Sequence, residues 1–273
     1  MLEGIFAVIS TSFELLGTRK ILRSGKYKSE KFITAMFIGV VVLMLPIILT
    51  FSNFSIWPIK YYFLFLLILL VATTYNILYF KSLKRIDVED AQPIILSTWV
   101  FTIIFAFIFL PDERNIVKVV LALIASLTLI ITEMKGKKLI IGKWEKMMLI
   151  AVILIGFYNL LTKIILDVIS PFSLYFLRTL ILLPIFIKIS SFKHRDFKKY
   201  SNTLIISFLS IISQVSTFLA YKNLGLITTS LLMTSTPILT FWGAHIFLGE
   251  KIKYKNVISS VIILLCIIVS LFV

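Results

Sequence analysis

Long apolar runs constrain the fold of this chain more than any other feature. A helix that crosses a lipid bilayer needs about 20 largely apolar residues. The chain holds ten such runs, near 2–22, 32–50, 60–80, 91–110, 115–133, 147–166, 172–189, 203–222, 228–248 and 255–272. With 59% hydrophobic and only 15% charged residues, most of the surface must face lipid. We therefore predict an all-α integral membrane protein with ten transmembrane helices.

The connections between the runs are mostly short, so function is expected among the helices. A single cysteine, Cys266, excludes a disulfide framework and a cysteine-rich metal site. We expect no cofactor and no bound metal. The sequence also lacks a Gly-x-x-x-x-Gly-Lys nucleotide loop, which disfavours direct pumping by ATP and favours an ion gradient as the energy source.

Basic residues concentrate in alternate connections. A net charge of +15 would suggest nucleic-acid binding in a soluble protein, because Lys and Arg neutralise phosphates. Here 22 of the 28 basic residues lie in the connections after runs 1, 3, 5, 7 and 9. Basic loops stay on the cytoplasmic side of a membrane. The pattern therefore predicts a protein of the cytoplasmic membrane with both termini outside, and it needs no nucleic-acid partner.

Four segments of the first half recur, in the same order, in the second half. The matched pairs are 13–19 with 157–163, 45–48 with 183–186, 81–83 with 222–224, and 109–112 with 247–250. Their offsets of 144, 138, 141 and 138 differ by only a few residues, as insertions in loops would produce. The repeat predicts two five-helix halves, 1–137 and 138–273.

An odd number of helices in each half has a topological consequence. The second half must enter the bilayer from the side opposite to the first, so the two halves form an inverted repeat. Inverted repeats are common in secondary transporters, where the binding site lies between the halves. This arrangement allows alternating access, in which the same site opens first to one face and then to the other.

The second half resembles the ten-helix EamA-type members of the drug/metabolite transporter superfamily. The residues that carry the resemblance are Lys163, Phe176 to Arg178, Tyr221 to Leu224, Pro237, and Gly249 with Glu250. The first half departs from the pattern, with Val40 where Arg178 aligns. The resemblance implies a membrane transporter. Such proteins usually have cytoplasmic termini, whereas the loop charges of this chain predict the reverse, and we follow the charges.

The first run contains a second resemblance. Glu14-Leu-Leu-Gly17-Thr18 is similar to the Glu-x-x-Gly-Thr step of the small multidrug resistance transporters, a four-helix branch of the same superfamily. In that branch the carboxylate of the first helix binds protons and cationic substrate. The resemblance implies the same role for Glu14.

Glu14 is also singled out by its position. It is the only acidic residue well inside a predicted span, where an ionised side chain costs about 2.5–3.5 kcal/mol on insertion scales. We expect it to face the interior, with Ser10, Gly17 and Thr18 on the same helical face. Two structural roles remain open, an ion pair with Lys163 or Arg178 and an uncharged, hydrogen-bonded acid.

Other polar and aromatic residues within the runs are candidates for binding the solute or the proton. They are Tyr75, Asn76, Trp99, Tyr158, Asn159, Arg178, Gln214, Thr217 and Trp242. Polar side chains in membrane helices also form ordinary helix-to-helix contacts, and the two tryptophans could simply pack in the core.

The sequence thus predicts a secondary transporter for a small metabolite or an amphipathic or cationic solute, coupled to protons through Glu14. Its partners would be the lipid bilayer, the solute and protons, with no required oligomer. The alternative is a lipid-moving or scaffold protein with the same fold. A membrane-embedded enzyme acting on a metal diphosphate would need paired acidic motifs, and only Glu14 lies well inside a span.

Overall fold

The structure is a computed structural model that describes residues 1–23, 28–51, 57–83, 85–86, 88–134, 142–193, 196, 200–248 and 254–272. Twelve α-helices and no β-strand occur in this described part of the chain. The helices are α1 (Leu2–Arg23), α2 (Ser29–Phe51), α3 (Ile59–Leu83), α4 (Val88–Leu96), α5 (Thr98–Phe109), α6 (Ile116–Glu133), α7 (Lys143–Ile165), α8 (Pro171–Ser190), α9 (Thr203–Leu224), α10 (Leu226–Met233), α11 (Thr236–Leu248) and α12 (Tyr254–Ser270). The predicted all-α fold is confirmed.

Many helices carry an apolar outer surface of the kind that lipid covers. Leu49, Phe63 and Ile205 are each more than two-thirds exposed, which would be unfavourable over so many residues in water. Among the described residues, five helices are long and apolar enough to cross a bilayer, namely α2, α3, α7, α8 and α9. Shorter apolar segments cover 93–109, 116–132 and 257–270. The chain is a multi-pass membrane protein.

Eight of the ten predicted runs form single helices, but the fourth and ninth runs are each broken in two. The runs over 91–110 and 228–248 were predicted as single spans, and each consists of two consecutive helices. In the ninth run the break falls just before Pro237, which has no amide hydrogen to donate to the preceding turn. The hydroxyls of Thr234 and Ser235 each donate to the carbonyl three residues earlier, both at 2.6 Å.

The break in the fourth run has the same chemistry. The Ser97 hydroxyl donates to the Ile94 carbonyl and the Thr98 hydroxyl to the Ile95 carbonyl, both at 2.6 Å. Pro93 lies one turn earlier, inside α4. A break in a helix leaves backbone carbonyls without hydrogen bonds, which is costly in an apolar medium. The hydroxyls supply hydrogen bonds to these carbonyls.

The two breaks occupy equivalent positions in the repeat. Helices α4 and α10 begin 138 residues apart, and so do α5 and α11. The dipeptide Ser97-Thr98 has its counterpart in Ser235-Thr236. One turn later, Thr102 and Thr240 each donate to the preceding threonine carbonyl at 2.8 Å. The repeat is therefore present in local geometry as well as in sequence.

A contact between the halves shows their opposite orientation. Glu113, which follows α5, accepts hydrogen bonds from the amides of Leu226 and Ile227 at the start of α10. The broken segment α4–α5 therefore ends where its counterpart α10–α11 begins. Equivalent elements run in opposite directions, which agrees with the predicted inversion.

The two halves interlock instead of packing as separate bodies. Helix α1 lies along α9 and against α11, while its counterpart α7 lies along α3 and against α5. Helix α2 packs on α8, and α6 on α12. One continuous apolar core runs through both halves. The first helix of each half is thereby placed against the other half, which brings Glu14 to the interface between them.

A candidate solute and proton site

Glu14 of α1 lies in the interior, against α9 of the other half. Its carboxylate accepts hydrogen bonds from the hydroxyls of Ser210 and Ser213. One turn before Glu14, the Thr11 hydroxyl shares a hydrogen bond of 2.7 Å with that of Ser213. Hydroxyl donors offset part of the cost of holding a carboxylate away from water.

Arg178 of α8 is the second charged residue of the interior and is only 7% exposed. Its guanidinium lies 5.0 Å from the centre of the Tyr175 ring and 5.5 Å from that of Tyr158. Cations are attracted to aromatic faces at such distances. One terminal nitrogen of the guanidinium also donates to the Tyr158 hydroxyl.

Glu14 and Arg178 are linked through an intermediate layer of side chains. The Tyr175 hydroxyl hydrogen-bonds to Ser210 at 3.0 Å, and Ser210 in turn donates to Glu14. The two charges interact electrostatically, but no ion pair within 4.0 Å joins them in the described part of the chain. The structure therefore places them near each other without neutralising one directly with the other.

Two further tyrosines extend this group. The rings of Tyr75 and Tyr158 meet edge to face with their centres 5.4 Å apart. The ring of Tyr221 stacks on Phe218, which in turn contacts Tyr175. We call the whole set the central cluster, and it consists of Glu14, Tyr75, Tyr158, Tyr175, Arg178, Ser210, Ser213 and Tyr221. Glu14 and Tyr75 come from the first half, and the other six residues from the second.

Lys163 does not pair with Glu14. Near the end of α7, its ammonium donates to the backbone carbonyl of Lys222 at 3.3 Å. Lys222 lies in the last turn of α9, so this contact is at one end of the bundle. Of the two predicted ion-pair partners, Arg178 is the one whose charge acts on the Glu14 carboxylate.

Several predicted polar residues use their hydrogen bonds within or between helices. The Ser10 hydroxyl donates to the Phe6 carbonyl at 2.6 Å, and the Thr217 hydroxyl to the Ser213 carbonyl at 2.8 Å. The Asn76 amide donates to the Ala72 carbonyl at 2.7 Å. These contacts bond the side chains to their own helices.

Asn159 has a different role, because it joins two helices. Its amide donates to the Thr102 hydroxyl at 3.1 Å, connecting α7 to α5. Thr18 and Gln214 are half-buried. Trp99 packs against Ala7, Val8, Leu232 and Met233, and Trp242 is 46% exposed. Gly249 and Glu250 lie outside the described residues.

Sequence reasoning did not select Tyr175, Ser210 or Ser213. A signal for them is present in helical spacing, since Tyr175 lies three residues before Arg178 and a polar stripe runs along α9. The stripe consists of Ser207, Ser210, Ser213, Gln214 and Thr217. Residues three and four apart share a helical face, so this stripe could have indicated the surface of α9 that meets Glu14.

At one end of the bundle, which we call the Glu113 face, contacts join the two halves. The Glu113 carboxylate accepts from the amides of Leu226 at 2.7 Å and Ile227 at 2.8 Å. The Asn223 amide donates to Glu3 at 3.0 Å. A carboxylate at a helix start is favourable because amides there point outward without partners.

At the other end, which we call the Asp196 face, a different set of contacts joins the halves. Lys31 of α2 forms an ion pair of 2.6 Å with Asp196, between α8 and α9. Nearby, the backbone amide of Lys28 donates to the Tyr200 hydroxyl at 3.2 Å. The length of α9, 22 residues or about 33 Å, separates the two faces.

A comparison with sequence families identifies the family of this chain. The sequence profile of the EamA-like transporter family matches residues 1–134 and again residues 142–272. A solved structure titled "Crystal structure of protein" superposes with a TM-score of 0.73 over 99% of this chain and 98% of that one. The identity in this superposition is 13%, so it shows the fold alone. No curated protein matches the chain.

Proposed function

Because this chain belongs to the EamA-like transporter family, we propose that it is a secondary transporter that moves a small solute by alternating access. The observation that carries the proposal is the central cluster, in which charges of opposite sign lie near each other where the two halves join. Ionisable residues at this depth are costly to bury and mark functional sites in membrane proteins.

The contacts at the two faces support alternating access. Each set joins the first half to the second, Glu113 to the start of α10 at one end and Lys31 to Asp196 at the other. Exposing the central cluster to either side requires the halves to separate at that end. A transporter opens one face while the other stays closed, and breaking one set of contacts at a time would achieve this.

Proton coupling would depend on Glu14. The same carboxylate can bind a proton or interact with a positively charged group of the solute. If the two compete for it, solute binding releases a proton on one side of the membrane and solute release allows protonation on the other. Ser210 and Ser213 would hold the carboxylate in position through both steps.

The sidedness follows from the loop charges. The connections after α1, α3, α6, α8 and α11 carry most of the basic residues, and the Asp196 face lies among them. By the positive-inside rule, the Asp196 face is cytoplasmic and the Glu113 face is external. Both termini are then outside the cell membrane.

Substrate-induced proton release by purified protein in a weakly buffered solution tests the role of Glu14. A solute that binds should release protons from the wild type, and Glu14→Gln should abolish the release because the amide cannot ionise in this range. Asp112→Asn is the control, since it removes a carboxylate that is exposed on the Glu113 face. Retention of proton release in Glu14→Gln would refute the assignment.

A further inference from the structure

Two cations from different halves of the molecule lie at one tryptophan ring. The guanidinium of Arg85, which follows α3, is 5.7 Å from the centre of the Trp144 ring, and the ammonium of Lys143 is 5.5 Å from it. Trp144 lies in the first turn of α7. Because both charges are this close to the same point, they cannot be more than twice this distance apart. We call Arg85, Lys143, Trp144 and Lys146 the Trp144 site.

No carboxylate of the described part of the chain forms an ion pair within 4.0 Å with Arg85, Lys143 or Lys146. The Glu145 carboxylate turns back over the start of α7, where a Cβ atom on Gly142 would lie 2.7 Å from its Oε2 atom. Three acidic side chains that follow Arg85 lie outside the described part of the chain, namely Asp87, Glu89 and Asp90. Like charges gathered at one ring repel each other. An anion bound between them would turn this repulsion into attraction.

The Trp144 site lies at the level of the lipid headgroups. Helix α7 ends near Lys163, which bonds the Lys222 carbonyl at the Glu113 face. Its 23 residues span about 35 Å, so its first turn lies at the opposite end, the Asp196 face. The hydrocarbon core of a bilayer is about 30 Å thick, and tryptophan collects at its boundary with the headgroups.

The outer surface of α7 changes from charged to apolar below this level. Lys143, Lys146 and Ile150 are exposed and share one face of the helix. Ile150 is 51% exposed and lies about two turns, or about 10 Å, below Lys143. Trp144 packs on an apolar group that includes Met148 and Val152. This order of positive charge above apolar surface is complementary to a phospholipid, whose anionic phosphate lies above its acyl chains.

We propose that the Trp144 site binds the phosphate of an anionic phospholipid, with Arg85 and Lys143 as its main contacts and Lys146 beside them. Arginine donates paired hydrogen bonds to phosphate oxygens, and lysine binds them as a point charge. Basic pockets between transmembrane helices recognise anionic headgroups in this way. The acyl chains lie along Ile150 and the apolar surface below it. Because Arg85 belongs to the first half and Lys143 to the second, a bound lipid links the halves at the Asp196 face.

Native mass spectrometry of the purified full-length protein in detergent tests the proposal. Phosphatidylglycerol and phosphatidylcholine with identical acyl chains are titrated separately, and the Kd of the first bound lipid is measured. We expect phosphatidylglycerol to bind about tenfold or more tightly. Glycerophosphoglycerol, the same headgroup without acyl chains, distinguishes a lipid from a soluble phosphate compound. It should bind at least about tenfold more weakly than the lipid, because it buries no acyl chain.

Variants assign the preference to the Trp144 site. Arg85→Gln and Lys143→Gln should each weaken phosphatidylglycerol binding about fivefold and leave phosphatidylcholine binding unchanged. The double variant should bind both lipids equally. Lys60→Gln is the matched control, because the Lys60 ammonium also lies over an aromatic ring, 4.9 Å from the centre of Tyr61, but at the start of α3 and therefore at the other face. It removes the same charge and should retain the wild-type preference.

The lipid site is overturned if the two lipids bind the wild type equally, if glycerophosphoglycerol binds as tightly as the lipid, or if the double variant keeps the preference. A loss in Lys60→Gln as large as that in Arg85→Gln would show attraction by net charge alone and would also overturn it. Since Arg85, Lys143 and Lys60 are exposed, all variants should unfold at the wild-type temperature in lipid-free detergent. These outcomes do not depend on the role of Glu14 in transport.

Discussion

Two tyrosines contact the buried charge of Arg178 through interactions of different strength. Its terminal nitrogen donates to the Tyr158 hydroxyl, whereas Tyr175 offers its ring face and uses its own hydroxyl for Ser210. Removing the Tyr158 hydroxyl and removing the Tyr175 hydroxyl should therefore have different effects on stability, although a change to Phe keeps the aromatic ring in both cases.

We predict that Tyr158→Phe lowers stability more than Tyr175→Phe. The first removes the acceptor of a charged donor, a loss of about 1.5–3 kcal/mol, and the second removes a neutral hydrogen bond, a loss of about 1 kcal/mol. Thermal unfolding in detergent measures both. Tyr221→Phe is the control, because the Tyr221 ring stacks on Phe218 away from Arg178. Equal falls in Tm for all three variants would show that the three hydroxyls contribute equally to stability.

At the scale of single elements, the broken helices and their close neighbours determine where the cluster lies. Helix α7 approaches α5 so closely that a Cβ atom on Gly156 would lie 3.0 Å from the Thr102 amide nitrogen and 3.1 Å from the Phe101 carbonyl carbon. Three residues later, Asn159 donates to Thr102. The glycine permits the approach that this hydrogen bond needs, and Tyr158 lies between the two positions.

Gly156→Ala is therefore predicted to destabilise the protein. Because the added methyl meets backbone atoms that cannot rotate away, the cost is about 1–3 kcal/mol, a fall in Tm of several degrees. The control is Gly243→Ala on α11, where the Cβ would lie 2.5 Å from the Leu16 Cδ1 atom, the flexible end of a side chain. Gly243→Ala should therefore lower Tm only slightly. A similar fall in Tm for both variants would contradict the explanation from backbone contact.

Gly225 marks another close approach, at the start of α10. Its φ of +87° lies in the region that favours glycine, and a Cβ atom there would be 3.0 Å from the Glu113 carboxylate. Backbone conformation and the absence of a side chain together allow Glu113 to reach the amides of α10. The closure of the Glu113 face thus depends on both residues.

At the scale of the whole molecule, contacts of unequal chemistry join the two halves at the two faces. The Glu113 face uses a carboxylate on backbone amides, and the Asp196 face uses a lysine–aspartate ion pair. Weakening either one should shift the population of the conformations that open at that end, since each conformation is favoured by its own contacts.

We predict that Glu113→Gln and Asp196→Asn shift this population in opposite directions. A cysteine at Thr11, beside Ser213, reports access to the centre once Cys266 has been replaced by alanine. With an impermeant maleimide added to intact cells, Glu113→Gln should raise the labelling rate about fivefold, for a loss of about 1 kcal/mol. Asp196→Asn should lower it.

A cysteine at Asp112, which is exposed on the Glu113 face, serves as the control and should be labelled in every variant. Reversed directions for Glu113→Gln and Asp196→Asn, with Asp112→Cys unlabelled, would show that the termini are cytoplasmic. Shifts in the same direction for both variants would contradict the opposed roles of the two faces.

The predictability of the candidate site varies among its residues. Glu14 and Arg178 stand out in the sequence because charges inside apolar runs are rare and costly. Ser210, Ser213 and Tyr175 do not, because serine and tyrosine are ordinary in membrane helices. Their part in the cluster comes from bonds between different helices. Thr11 and Ser213 are 202 positions apart, and Tyr175 and Ser210 are 35 positions apart.

The sequence alone determines that this chain lies in a membrane, where its apolar helices fall, and that its halves repeat in opposite orientation. Hydropathy and helix count suffice for these conclusions, because each helix satisfies its own backbone within the bilayer. Only the tertiary structure decides which polar side chains meet, that Ser97 and Ser235 mark breaks, and that the Nε atom of Arg178 is buried without a partner. These features depend on how each helix is rotated and how closely it packs, which local sequence does not specify.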